Sequence, residues 1–86
     1  MAKYFRARRG GDFRAVLEAF GFYLQSYNGD DSIYARKGYG FTVKIPTRSS
    51  EEVPMGTADF IKKCIRKCGV DPKEVLEWWK DNGYGD

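Results

Sequence analysis

Apolar positions along the chain recur in two periods, and the switch between them marks the elements. Phe13, Val16, Leu17 and Phe20 fall at helical spacing and form one stripe. Asp12 precedes them as a candidate N-cap, and Gly21 follows as a stop signal. The period then shortens. Residues 22–27, 32–37 and 41–45 read as strand-like runs. Asn28-Gly29 suits a tight hairpin turn between the first two runs. Gly38-Tyr39-Gly40 separates the second from the third, and Pro46 stops the third. Alternation predicts that Leu24, Ile33, Ala35, Phe41, Val43 and Ile45 face inward, with Gln25, Tyr34, Arg36, Thr42 and Lys44 on the opposite face.

Helical spacing returns after a polar connection over residues 47–56. Thr57 is the expected cap, and Phe60, Ile61, Cys64, Ile65 and Cys68 form the apolar stripe. Lys62, Lys63, Arg66 and Lys67 occupy the other side of that helix, which Gly69 ends. Asp71-Pro72-Lys73-Glu74 opens a last helix with an N-cap, proline at N1 and a carboxylate at N3. There Val75, Leu76 and Trp79 point inward, while Trp78 diverges and is a candidate interface anchor or a lateral packing residue. The order helix, three strands, helix, helix predicts an α+β domain. A three-stranded antiparallel sheet would be covered by helices on one face. The expected organisation is a basic flexible arm over 1–11, a single domain over 12–81 and a short tail over 82–86.

Composition narrows the class. The chain has 86 residues, enough for one domain, and is 42% hydrophobic and 31% charged, as expected of a soluble globular domain rather than a disordered one. No apolar run approaches the roughly 20 residues that span a bilayer. The first residues lack the apolar core of a signal peptide, so a cytoplasmic location is expected. The net charge of +3 is unevenly distributed: residues 1–50 hold nine Lys/Arg against four Asp/Glu, and residues 51–86 hold six against eight. A basic half suggests a polyanionic partner, with a solvated surface as the plain alternative. Cys64 and Cys68 lie one helical turn apart without a second pair or any histidine, so they read as small buried hydrophobes rather than a metal site. No metal and no cofactor is implied.

The stretch Glu51-Glu52-Val53-Pro54-Met55-Gly56-Thr57 resembles the HicA (YcfA-like) toxin family, which carries an acidic-hydrophobic-Pro-x-Gly-Thr run at the cap of its last main helix. Ile61, Ile65, Lys67, Cys68 and Gly69-Val70 fit the helix, glycine, aliphatic sequence that follows, and Asp71 and Glu74 fit the start of the C-terminal segment. Upstream, Gly21-Phe22 matches a glycine-aromatic step into the first strand. Gly29 and Ile33-Tyr34 match a Gly-Ser-His-His-aliphatic-aromatic motif, and Val43, Ile45 and Pro46 match the end of the third strand. The likeness covers residues 12–77. It implies a fold like the double-stranded-RNA-binding domain, an mRNA-cleaving toxin of bacterial or phage origin, and a HicB-like antitoxin as protein partner.

The resemblance also places the chemistry. In that family the histidine two positions after the motif glycine is catalytic; Asp31 stands there, Asp30 replaces the serine and Ser32 the second histidine. The chain contains no histidine at all. RNA cleavage without metal needs a base for the 2′-hydroxyl and an acid for the leaving oxygen, and histidine suits both because it titrates near neutrality. Aspartate, with an ordinary pKa of about 3.9, is a weak base and a poor acid there. The expectation is therefore a HicA-like domain whose cleavage is weak or lost at Asp31. Two alternatives stay open. Asp30 and Asp31 together suit a magnesium ion beside phosphate, with a solvated turn at Asn28-Gly29-Asp30-Asp31 as the plain reading of the same residues. The other alternative is a protein-interaction module on the same scaffold without an RNA role. For RNA, the cationic face of Lys62, Lys63, Arg66 and Lys67 is the expected phosphate contact, in the position where the double-stranded-RNA-binding fold uses lysines. Arg36, Lys44 and Tyr34 on the open sheet face extend it.

Overall fold

The computed structural model describes residues 8–84. Its elements run α1 (Gly10–Ala19), β1 (Tyr23–Asn28), β2 (Asp31–Ala35), β3 (Thr42–Pro46), α2 (Met55–Lys67) and α3 (Pro72–Asp81). The strands form one antiparallel sheet in the order β1-β2-β3. The α+β class and the element order thus agree with the apolar pattern. No helix among the described residues is long and apolar enough to cross a membrane.

The core lies between the helices and one face of the sheet. It joins Phe13, Val16 and Leu17 of α1 to Val43 and Ile45 of β3, Ala58, Ile61, Cys64 and Ile65 of α2, and Val75 and Trp79 of α3. Trp79 is its centre. Its indole Nε1 donates to the Asp12 carbonyl at 2.9 Å, and the Phe13 ring meets it edge-on at 5.4 Å. Such edge-to-face geometry adds to the area the rings bury.

One predicted assignment of sheet faces is overturned. Residues directly opposite each other in an antiparallel pair share a face. Tyr34 is opposite Val43, and Ser32 is opposite Ile45. The helix-facing residues of β2 are therefore Ser32 and Tyr34, and Tyr34 is only 2% exposed. Ile33 and Ala35, expected inside with Val43, lie instead on the other face beside Lys44 and Thr42. Alternation carried no signal because β2 is the central strand: Ser32, Ile33, Tyr34 and Ala35 are all buried. Leu24, opposite Tyr34, is on the helical side as expected but stays exposed. Phe60, expected in the buried stripe of α2, is 50% exposed.

The domain also begins earlier than its apolar stripe suggests. Residues 1–7 of the expected arm lie outside the described residues, but 8–11 do not behave as an arm. Arg9 pairs with Glu52 in an isolated antiparallel bridge, and the Val53 amide donates to the Arg8 carbonyl at 2.9 Å. Arg8 is buried, its guanidinium 4.3 Å above the Trp79 ring centre and donating to the Tyr84 carbonyl at 2.8 Å. Gly10 opens α1 because no larger residue fits: a Cβ there would stand 2.6 Å from the Pro46 carbonyl oxygen. Arg9, not Asp12, is the N-cap, and Asp12 at N3 accepts from the Arg9 amide at 3.0 Å. Of the expected tail, Tyr84 stacks on Trp78 at 5.6 Å, and its amide donates to the Trp79 carbonyl. Trp78 is thus half-buried under a local partner.

Two further caps separate pattern from geometry. The last helix is capped as read, with the Asp71 carboxylate accepting from the Lys73 amide at 2.9 Å and Glu74 from the Asp71 amide at 3.2 Å. The middle helix is not: Pro54 is its N-cap, and Thr57 sits at N3 within the first turn.

Candidate nucleic-acid interface

Helix α2 positions the expected cations. Its inward stripe of Ala58, Ile61, Cys64 and Ile65 packs on the core, so the other side is turned to solvent. Lys63, Arg66 and Lys67 are exposed and Lys62 is half-buried. Lys67 also lies with its ammonium 5.8 Å from the Phe41 ring centre, tying one end of the face to the start of β3. Arg66 and Lys67 stand in the last turn, where cations favour the negative end of the helix.

The predicted extension across the sheet does not form. Tyr34 is buried under α1 and donates its hydroxyl proton to Glu18 Oε2 at 2.9 Å. Burial, and then the bond to the Glu18 carboxylate, push its phenol up to about 12. Arg36 follows the same face as Tyr34. It is half-buried, donates to the Cys68 carbonyl at 3.3 Å and lies 5.6 Å from the Tyr39 ring centre. It therefore closes the C-terminal end of α2 rather than facing a ligand. Lys44 alone of the three is exposed on the open face, opposite Ile33. Tyr34 and Arg36 are corrected from contact residues to structural ones.

The position that the resemblance makes catalytic falls at the first residue of β2. Asp31 pairs with Asn28 on one side and Pro46 on the other. The turn before it is centred on Gly29 and Asp30, one residue later than the Asn-Gly pattern suggests, and Gly29 adopts φ +63°. That left-handed conformation explains glycine at this motif position. Gly56 has no such demand, since a Cβ there would meet nothing within 4 Å. The Asp30 carbonyl accepts from the Thr47 amide at 2.9 Å, and Thr47 Oγ1 is 2.8 Å from Ser32 Oγ.

Beside Asp31, Asp30, Thr47, Arg48 and Glu51 line a cavity of about 390 Å³. Three arginines that the apolar pattern does not single out gather around the connecting loop. Arg9 donates to the Ser50 carbonyl at 3.4 Å, and Arg14 to the Ser49 hydroxyl. Arg48 adds a third guanidinium at the cavity wall. Arg14 Nε is buried without a partner. These residues are far apart in sequence, and only the packing of α1 against β3 and its following loop brings them together. The one hint in the sequence was the excess of Lys/Arg in residues 1–50.

Asp30 thus shares a cavity wall with Arg48 and Glu51, and no imidazole stands near it or Asp31 to shuttle a proton. No group of three or more His, Cys, Asp or Glu among the described residues is placed to hold a metal ion. Both cysteines are free thiols. Cys64 belongs to the core, where burial pushes its thiol up, and Cys68 packs against the same cluster. Comparison with protein-family models, curated proteins and solved structures finds no match to this chain.

Proposed function

We propose that this is a HicA-like domain that binds RNA through phosphate contacts, with ribonuclease activity weak or lost because Asp31 replaces the family histidine. The observation that carries the reading is the exposed cationic face of α2, with Lys63, Arg66 and Lys67 turned away from the core. The Pro54-Met55-Gly56-Thr57 entry into that helix supports the family likeness, and the α+β order is compatible with a fold like the double-stranded-RNA-binding domain. A cytoplasmic location and a HicB-like protein partner belong to the same proposal. Exposed Met55 and Phe60 at the start of α2 give such a partner apolar surface to cover.

Chemically, the α2 face supplies positive charge without base reading. Binding then follows RNA shape and backbone, and its affinity falls with salt as condensed counterions are released. At the Asp31 site the chain offers carboxylates where cleavage needs a group that titrates near neutrality.

The test is titration of a labelled RNA hairpin at several salt concentrations. Affinity should fall steeply between about 50 and 200 mM salt. Lys63→Ala and Arg66→Ala should each lower the slope of log affinity against log salt by roughly one. Binding that ignores salt, or survives both substitutions unchanged, removes the RNA reading and leaves the protein-interaction module. In parallel, the same RNA incubated with wild type and Asp31→Ala, with and without magnesium, should stay intact. Cleavage that vanishes in the variant overturns the inactive assignment.

A further inference from the structure

The two edges of the sheet are built differently. The outer strand β3 carries Lys44 and Pro46, two residues that discourage edge pairing, and α1 packs close to its end at Gly10. The other edge, β1, has the sequence Tyr-Leu-Gln-Ser-Tyr-Asn, with no charge and no proline. All six of its residues are exposed. It pairs with β2, and Leu24 (40% exposed) and Tyr27 (64% exposed) remain uncovered on the helical side.

A bulge in β1 gives this edge a specific geometry. Leu24 is opposite Tyr34 and Tyr27 is opposite Ser32, while the register slips between Leu24 and Ser26. Tyr34 and Ser32 share the helix-facing side, so Leu24 and Tyr27 share it too. In an unbulged strand, residues three apart would face opposite ways. A bulge usually spoils an edge for pairing. Here it makes the strand self-complementary.

We propose that β1 pairs antiparallel with β1 of a second copy of this chain, about a twofold axis between Gln25 and Ser26. That register sets Leu24 of each copy opposite Tyr27 of the other. Because the bulge puts both residues on one face, the four side chains form a single apolar patch, and the two sheets merge into one of six strands. Charge argues for a second copy as the occupant. The strand carries none, so a twofold pairing of two identical β1 strands sets no like charges against each other.

Sedimentation velocity over a concentration series tests this. The full chain should show a reversible dimer that grows with concentration. Leu24→Lys places a charge in the apolar patch twice per dimer, and Tyr27→Lys does the same from the opposite position. Each should weaken self-association by on the order of tenfold. Both sites are exposed, so the helical circular dichroism should not change. Cross-linking gives a second readout on a Cys68→Ser background. Oxidising a mixture of Leu24→Cys and Tyr27→Cys chains should yield a disulfide dimer, and either variant alone far less. A monomer at the highest soluble concentration overturns the proposal. So does a dimer indifferent to Leu24→Lys and Tyr27→Lys, or cross-linking by Leu24→Cys alone as efficient as by the mixture.

Discussion

Tyr34 shows how one residue changes meaning between sequence and structure. On alternation it belongs to an open polar face with Arg36 and Lys44; in the fold it is buried with its hydroxyl on Glu18. Its pKa is raised from 10.0 to about 12, so the folded state holds the phenol proton more tightly than the unfolded chain does. The resulting stability is complete below about pH 10 and is lost as pH rises towards 12. Chemical denaturation should therefore show wild type losing stability over that window relative to Tyr34→Phe. At neutral pH the same substitution should cost about 1 kcal/mol for the missing hydrogen bond. An equal alkaline loss in both proteins would show that Tyr34 is not the titrating group. Gly10 carries the opposite lesson. It reads as part of a flexible Gly-Gly arm, but the Pro46 carbonyl leaves no room for a side chain. Gly10→Ala should destabilise by about 1–3 kcal/mol through overpacking, measured as a shift of the denaturant midpoint without a change of slope.

Among elements, legibility followed the amount of one-sided burial. Both amphipathic helices at the C-terminal end were plain from spacing, because a helix with one buried stripe repeats its signal over several turns. The α3 start was legible to the residue, since Asp71-Pro72-Lys73-Glu74 contains its own capping partners. Asp71→Ala should lower stability by about 1 kcal/mol, read from the thermal midpoint, whereas Thr57→Ala should do less because Thr57 caps nothing. The central strand was the failure. Both faces of β2 are buried, so its residues carry no alternation, and pairing partners alone decide which side Tyr34 takes. The candidate site divided in the same way. The α2 cations were visible as a run, while the separate Arg9, Arg14 and Arg48 group was not, because its members come from different segments.

For the whole molecule, the proposed RNA and self-association surfaces are separate. The cationic α2 face and the uncharged β1 edge lie on different elements. Two proposed interactions should then respond oppositely to ionic strength. Raising salt should weaken RNA binding by screening and counterion competition. Self-association through β1, which sets no charges against each other, should hold steady or strengthen. Sedimentation and RNA titration on one sample series check this directly. A dimer that dissociates with salt would mean that charged residues, not β1, hold it together.

The sequence by itself determined the α+β order, the helix stripes, the cap of α3, the cationic side of α2 and the absence of histidine. All of these rest on spacing or composition, which are local. Only the tertiary structure decided the orientation of β2, the burial of Arg8 over Trp79, the arginines around residues 48–50 and the bulge that turns Leu24 and Tyr27 to one side. Each of those depends on contacts between segments distant in sequence, and no local period records which strand will be central or which edge left open.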